Sequence, residues 1–313
     1  FLPLQHALPR LLELVAGTCG ARLEELPPPP GWRCRLVRAV DAESGCCLGF
    51  VYLQPERARL GPELPPGAQL LCRGHVLLRL QLQRASLGHE KLLSPEEAAT
   101  CAHELGHALH MLCQPAAPQD FDDLPLDVLE LPSTLAELLV RTPQALARLT
   151  RHHRSGQAPP DQLRGAAAPA LPGLLRQLRE ASVCLGLHEL EPEGLSWRDL
   201  RTAAVELWQR YAISEAHADF TPLAEDAGLQ LALAGPSQVA YLLCRLRADA
   251  TLTKLWPKQD MGRKLRAQLL DRAFPPRSAL LVPLLAAGRE APHHPLPPPP
   301  GAQGLLARLR PVA

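Results

Sequence analysis

The stretch SPEEAATCAHELGHALHMLC, residues 94–113, decides how the rest of the chain is read. Ser94 offers a hydroxyl N-cap, Pro95 takes the first helical position, where no N–H is needed, and Glu97 at N3 closes a capping box. Small or apolar side chains at Ala99, Ala102, Leu105, Ala108, Leu109 and Leu112 recur at helical spacing, so the segment predicts a helix running to about Cys113. On that helix His103 and His107 stand one turn apart on one face, with Glu104 beside the first. The residue types of this HExxH pattern have a chemical reason. Neutral imidazoles hold Zn²⁺ without cancelling its charge, the ion lowers the pKa of water to about 7, and a neighbouring carboxylate takes the proton.

A zinc site of this kind needs a third protein ligand. A metzincin-type extension would place glycine at 110 and histidine at 113, but the chain has His110 and Cys113, so that branch is excluded. Downstream, Asp127-Val128-Leu129-Glu130-Leu131-Pro132-Ser133 sets a carboxylate among apolar neighbours, and Leu135, Leu138 and Leu139 continue an apolar helical face. Burying Glu130 there demands a cationic partner. The expected set is therefore one Zn²⁺ held by His103, His107 and Glu130, with Glu104 as general base. Asp127 and Glu137 share the helical face of Glu130 and are candidates for orienting the histidines from outside the ligand set.

The rest of the sequence sets limits around this core. The 313 residues carry 33 Lys plus Arg against 32 Asp plus Glu, a net charge of +1, with no basic run to track a phosphate backbone or an anionic membrane. Nucleic-acid binding is thereby disfavoured, and no stretch approaches the roughly 18 consecutive apolar residues of a membrane span. Hydrophobic residues at 46% and charged residues at 21% lie in the globular range. Nine cysteines without a CxxC pair fit a reducing compartment better than a disulfide framework. The chain opens on Phe1 rather than methionine, which reads as a fragment or a processed chain.

The elements follow the same logic. Leu11, Leu12, Leu14 and Val15 give the first segment a helical stripe that ends in Gly17 to Gly20, and Pro27 to Pro30 form an extended spacer. Short alternating runs at 36–40, 49–53 and 76–80, with turn residues at 41–45, predict a small antiparallel sheet of three or four strands. Beyond residue 94 the pattern is helical, with stretches at 124–154, 160–185, 198–212, 221–234, 237–256 and 258–272. The expected fold class is mainly α, a zincin-like helical domain with a small antiparallel sheet beside the HExxH helix. Its division is 1–30 for the first helix and spacer, 31–290 for the catalytic domain and 291–313 for a disordered proline-rich tail. Within the catalytic domain the sheet spans 34–82 and the zinc helices 94–140.

HELGHALHML followed by LDVLELPSTLAELL resembles the zinc helix and third-ligand helix of the thimet oligopeptidase family, whose pattern is HEFGHxxH and then ExPS. LQLQRASLGHEKLLSPEEAATCAHELGHALHML, GCCLGFVYLQPERA and RHHRSGQAPPDQL are similar to the mitochondrial intermediate peptidase branch of that family. The resemblance covers most of residues 20–285 and corresponds to the family's C-terminal catalytic half. It implies His103, His107 and Glu130 as zinc ligands and Glu104 as general base. It also implies a metalloendopeptidase acting on oligopeptides or imported precursor presequences, in the mitochondrial matrix, with the cytoplasm as the alternative.

One stretch departs from the family. Where members carry a His and then a Gly-Tyr-x-Ala-x-Tyr-Tyr-x-Tyr run that binds substrate, this chain has Leu231, Gly235, Pro236, Ala240, Tyr241 and Leu243. Tyr241 matches a tyrosine with a packing role. The losses support a competing expectation, a zinc-binding pseudopeptidase or truncated fragment that binds peptides or a partner with little turnover. His152 and His153 are expected in a solvated segment, His217 on the surface, and His293 and His294 in the tail.

Overall fold

The computed structural model describes residues 2–28, 34–54, 67–80, 82, 86–87, 90–114, 124–158, 170–190, 196–211, 237–255, 262 and 264. The chain falls into two compact units, Phe1–Ala273 and Phe274–Ala313, and every described residue lies in the first. The described helices are α1 (Leu4–Thr18), α2 (Pro95–Cys113), α3 (Leu126–Val140), α4 (Pro143–Leu149), α5 (Ala170–His188), α6 (Trp197–Arg210) and α7 (Ser237–Leu255). The strands are β1 (Ala21–Leu26), β2 (Arg35–Asp41), β3 (Cys47–Gln54), β4 (Gly67–Cys72), β5 (His75–Arg79), β6 (Ser86–Leu87) and β7 (Glu90–Lys91). The fold is mainly α with a small sheet, as expected.

Among the described residues the sheet has five strands in the order β1-β2-β3-β5-β4, and β6 and β7 form a separate two-stranded ribbon. Two features differ from the expected three or four antiparallel strands. First, β1 lies inside the segment read as helix and spacer. Its sequence, ARLEEL, carries little apolar signal because it is an edge strand whose Glu24 and Glu25 pair across to Arg38 and Arg35. Second, β3 runs parallel to β5, since the chain crosses to the far edge, forms β4, and returns through a hairpin. Burial explains the order. Val76 and Leu78 of β5 are fully buried, whereas β4 is half-buried to exposed along its length, so β5 takes the interior and β4 the edge.

Helix α2 lies against β3, β4 and β5 on one side and against α3 on another. Leu105 and Leu109 of α2, Leu139 of α3, and Val51, Leu53, Val76 and Leu78 of the sheet are all at most 2% exposed, and form this core. Each such side chain stabilises the fold by roughly 1.5–3 kcal/mol relative to exposure. At the end of α2, Leu112 meets the sheet where Gly49 and Gly74 approach each other. A Cβ on Gly49 would collide with the Gly74 carbonyl and with Leu112, and Gly49 has φ +151. The close approach is used by a hydrogen bond, Phe50 N–H donating to Gly74 O at 2.7 Å.

The helical remainder builds outward from α3. Helix α7 packs on α3, α5 packs on α7, and α6 on α5. Val183, Leu187, Ala204 and Trp208 form a satellite core between α5 and α6. Arg179 stacks 3.8 Å above the Trp208 ring while its guanidinium donates to the Trp208 carbonyl. The stretch expected as one helix over 124–154 is two, because Thr142 caps a new helix with Pro143 at its first position. The expected helix at 221–234 and most of that at 258–272 lie outside the described residues, as do residues 160–169 of the one expected at 160–185. The proline-rich tail lies outside them as well. No described helix is long and apolar enough to cross a membrane.

Candidate metal centre

The start of α2 is fixed locally: Glu97 N–H donates to Ser94 Oγ at 3.0 Å, and Ser94 N–H donates to the Glu97 carboxylate at 2.7 Å. This capping box sets the helix that carries His103, Glu104 and His107. The partner helix α3 carries Glu130, and Pro132 two residues later removes the backbone hydrogen bond to Val128. The two helices meet at Gly106, between the histidines. A Cβ there would lie 2.7 Å from Ser133 Cα and 3.0 Å from the Pro132 carbonyl oxygen, so only glycine lets α3 come this near.

That approach brings three ligand atoms together. His103 Nε2 and His107 Nε2 are 3.2 Å apart, and Glu130 Oε2 is 3.2 Å from the first and 3.3 Å from the second. Tetrahedral zinc, with bonds of about 2.0–2.1 Å, separates adjacent ligand atoms by about 3.3–3.4 Å. The triangle therefore fits one face of such a site, and the chemistry of the donors, two imidazoles and a carboxylate, suits zinc. Among the described residues these three form the group of His, Cys, Asp or Glu whose ligand atoms lie within 4.8 Å of one another.

The electrostatics follow from the closeness. Burial works against the charged form of His103, but the Glu130 and Glu137 carboxylates overcome it and hold its pKa up at about 9. Burial pushes Glu130 up, and hydrogen bonds from His103 and His107 more than offset this and hold it well below the usual carboxylate range. Glu137 behaves likewise: burial raises its pKa, while His103 and Arg141 bring it down. Without a metal, the cationic partner that buried Glu130 requires is an imidazolium.

Around the triangle, each partner does something specific. Glu137 Oε2 is 3.6 Å from His103 Nδ1, on the side of the ring away from the triangle, and Arg141 donates to the other Glu137 oxygen at 3.2 Å. Ser133, fully buried, donates to the Glu130 carbonyl at 2.8 Å and reaches Glu130 Oε2 at 3.1 Å. From α7, the Tyr241 hydroxyl donates to Glu130 Oε1 at 3.3 Å. Burial, with the Glu130 charge beside it, pushes the Tyr241 pKa up to about 12, so the hydroxyl keeps its proton. Glu104 is half-buried and near enough to His103 and Tyr241 to act on both electrostatically.

Comparison with known proteins identifies the scaffold. A match to Peptidase family M3 covers residues 63–221, just over half of the chain. The chain belongs to peptidase family M3. Among curated M3-type relatives, dipeptidyl carboxypeptidase of Escherichia coli (strain K12) is 39% identical over 83 residues, 26% of this chain and 12% of that protein. The mitochondrial intermediate peptidase of Arabidopsis thaliana is 28% identical over 180 residues, 52% of this chain and 25% of that protein. Oligopeptidase A of Escherichia coli (strain K12) is 32% identical over 89 residues, 28% of this chain and 13% of that protein. The matched part thus spans a quarter or less of the length of each of these relatives.

Within this M3 scaffold, the structure brings together His103, His107 and Glu130, and sets Glu137 against His103. Asp127 does something else. Its carboxylate accepts from Arg247 at 3.0 Å and its carbonyl from Cys244 Sγ at 3.2 Å, so it faces α7 rather than the histidines. Tyr241, read as a packing residue, instead touches a ligand. The signal that could have found it is the spacing Tyr241, Cys244, Arg247, a polar stripe at helical intervals on α7. His152 and His153 are half-buried in a segment whose other residues, Arg151 and Arg154 to Ala158, are exposed, and the His152 ring closes a turn by accepting from Ser155 N–H at 3.1 Å. Leu231, Gly235, Pro236, His217, His293 and His294 lie outside the described residues. None of the nine cysteines forms a disulfide.

Proposed function

We propose that this chain carries the metal site of a zinc-dependent metalloendopeptidase that hydrolyses peptide bonds of oligopeptides or precursor presequences. The observation that carries the reading is the triangle of 3.2, 3.2 and 3.3 Å between His103 Nε2, His107 Nε2 and Glu130 Oε2. These residues hold one Zn²⁺, which when bound supplies Lewis-acid polarisation and acidified water. Glu137 keeps the His103 ring in position through Nδ1. Glu104, next in sequence to a ligand, takes the proton of the attacking water and passes it to the leaving amine nitrogen. Strand β4, which packs against α2 and stands at the edge of the sheet among the described residues, is where an extended peptide can add as a further strand. The division into a leading segment (1–30), a catalytic domain (31–290) and a tail (291–313) belongs to the same proposal.

Relatives that are mitochondrial intermediate peptidases support a matrix location for this protein; the Escherichia coli relatives support the cytoplasmic alternative. A second reading is a zinc-binding pseudopeptidase or truncated fragment. It is favoured by α7, where Ala240 and Leu243 stand at positions for which the family pattern has tyrosines. A quenched-peptide assay of the wild type and Glu104→Gln separates the two. A chelator-sensitive rate abolished by the substitution supports the peptidase, and equal background rates with zinc bound support the pseudopeptidase. Elemental analysis finding no stoichiometric zinc in the purified chain overturns both.

A further inference from the structure

We propose that Tyr241 is a positioning residue for the metal, its hydroxyl holding Glu130 Oε1 so that Oε2 alone is presented to the ion and Glu130 binds as a monodentate ligand. The inference rests on the zinc reading above and adds to it a residue on another helix.

The two oxygens of Glu130 have separate partners. Oε2 lies 3.2 and 3.3 Å from the imidazole nitrogens and accepts from Ser133 at 3.1 Å. Oε1 accepts from Tyr241 at 3.3 Å. A carboxylate anchored at both oxygens has its plane fixed. Turning Oε1 toward the histidine nitrogens would work against the Tyr241 hydrogen bond. The position of the hydroxyl is itself constrained, because Tyr241 is the first of three α7 residues that meet α3 at helical spacing. Cys244 Sγ donates to Asp127 O at 3.2 Å and Arg247 donates to Asp127 Oδ2 at 3.0 Å. With Asp127 and Glu130 three residues apart on α3, the contacts set α7 in register with α3 and put the Tyr241 hydroxyl beside Glu130. An outer hydrogen bond of this sort orients a ligand that the ion then binds without further ordering.

The test uses the full chain, stripped of metal, as wild type, Tyr241→Phe and Arg247→Gln. Zinc affinity is read by competition with a chromophoric chelator, and coordination by the visible spectrum of the Co²⁺-substituted protein. Tyr241→Phe keeps the ring and removes only the hydroxyl. It is expected to weaken zinc about 10–100-fold and to shift the cobalt bands toward higher coordination, with the thermal midpoint of the metal-free protein lowered by no more than a few degrees. Arg247→Gln loosens the same seam without touching Glu130 and is expected to keep the wild-type cobalt spectrum. Wild-type affinity and spectrum in Tyr241→Phe overturn the role of the hydroxyl and leave the metal site standing. A spectral change of equal size in Arg247→Gln also overturns it, since the seam rather than the hydroxyl would then be responsible. Failure of the wild-type chain to bind zinc overturns the metal reading and this inference together.

Discussion

Helix α3 is held on two sides by different means. Toward α2 the contact is backbone-close and mostly apolar: Gly106 admits Pro132 and Ser133, and Leu105, Leu109, Leu135 and Leu139 are buried. Toward α7 the same helix is held by polar groups, Tyr241 on Glu130 and Cys244 and Arg247 on Asp127. The first contact sets where Glu130 is; the second sets how its carboxylate is turned. Steric exclusion is unforgiving over tenths of an ångström, whereas a hydrogen bond tolerates small shifts and adds direction. A site that needs three atoms on one small triangle uses the stiffer device for placement and the softer one for orientation.

Removing a ligand from either helix of the α2–α3 contact gives the largest effect. His103→Ala or Glu130→Ala is expected to reduce bound zinc from stoichiometric to background by elemental analysis. Gly106→Ala comes next, because its Cβ has no space beside Ser133. Overpacking of this kind costs about 1–3 kcal/mol, read as a lower urea midpoint, and zinc affinity should fall with it as α3 is pushed away.

Protonation offers a way to sharpen the comparison without mutation. His103, held near pKa 9 by carboxylates of α3, must lose its proton to bind metal. Zinc affinity is therefore expected to rise about tenfold per pH unit up to about 9, with close to one proton released from this group per ion bound at pH 7. Calorimetry in buffers of different ionisation enthalpy measures that number. The metal-free protein should trend the opposite way. A histidine whose folded pKa is raised contributes stability that is fully present below its unfolded value of about 6.5 and is lost as pH rises through about 9. Urea melts of chelated and zinc-loaded protein across this window should therefore diverge.

The smallest effect belongs to the far end of the α7 side. Arg247→Leu removes the partner of Asp127 in a pair whose side chains are 16% and 21% exposed. About 1 kcal/mol of stability is expected to be lost, with zinc affinity near that of the wild type. A large loss of zinc in this variant would mean that the two sides of α3 act as one.

Much of the site was legible because it is local. The capping box, the one-turn spacing of His103 and His107, and the apolar flanks of Glu130 all follow from helical period and end-satisfaction over a few residues. Glu137 was legible for the same reason, two turns along α3 on the helical face of Glu130. Asp127 shows where such reasoning stops: spacing puts it on the same side of α3 as Glu130, but which neighbour it meets depends on α7. The missed strand β1 and the parallel β3–β5 pairing have the same origin. An edge strand with a polar face carries a weak pattern, and strand order depends on which segments can be buried on both faces.

The sequence by itself determined where the metal helix α2 begins and ends and the residue types able to hold a metal, since a capping box, hydrogen bonds four residues apart and side-chain periodicity need no distant partner. Only the tertiary structure decided that Glu130 meets the two histidines, that glycine at 106 permits it, and that a tyrosine 111 positions away fixes the carboxylate. Those facts depend on close packing between segments remote in the chain, where a shift of one side chain's width would leave the sequence pattern unchanged and the site unformed.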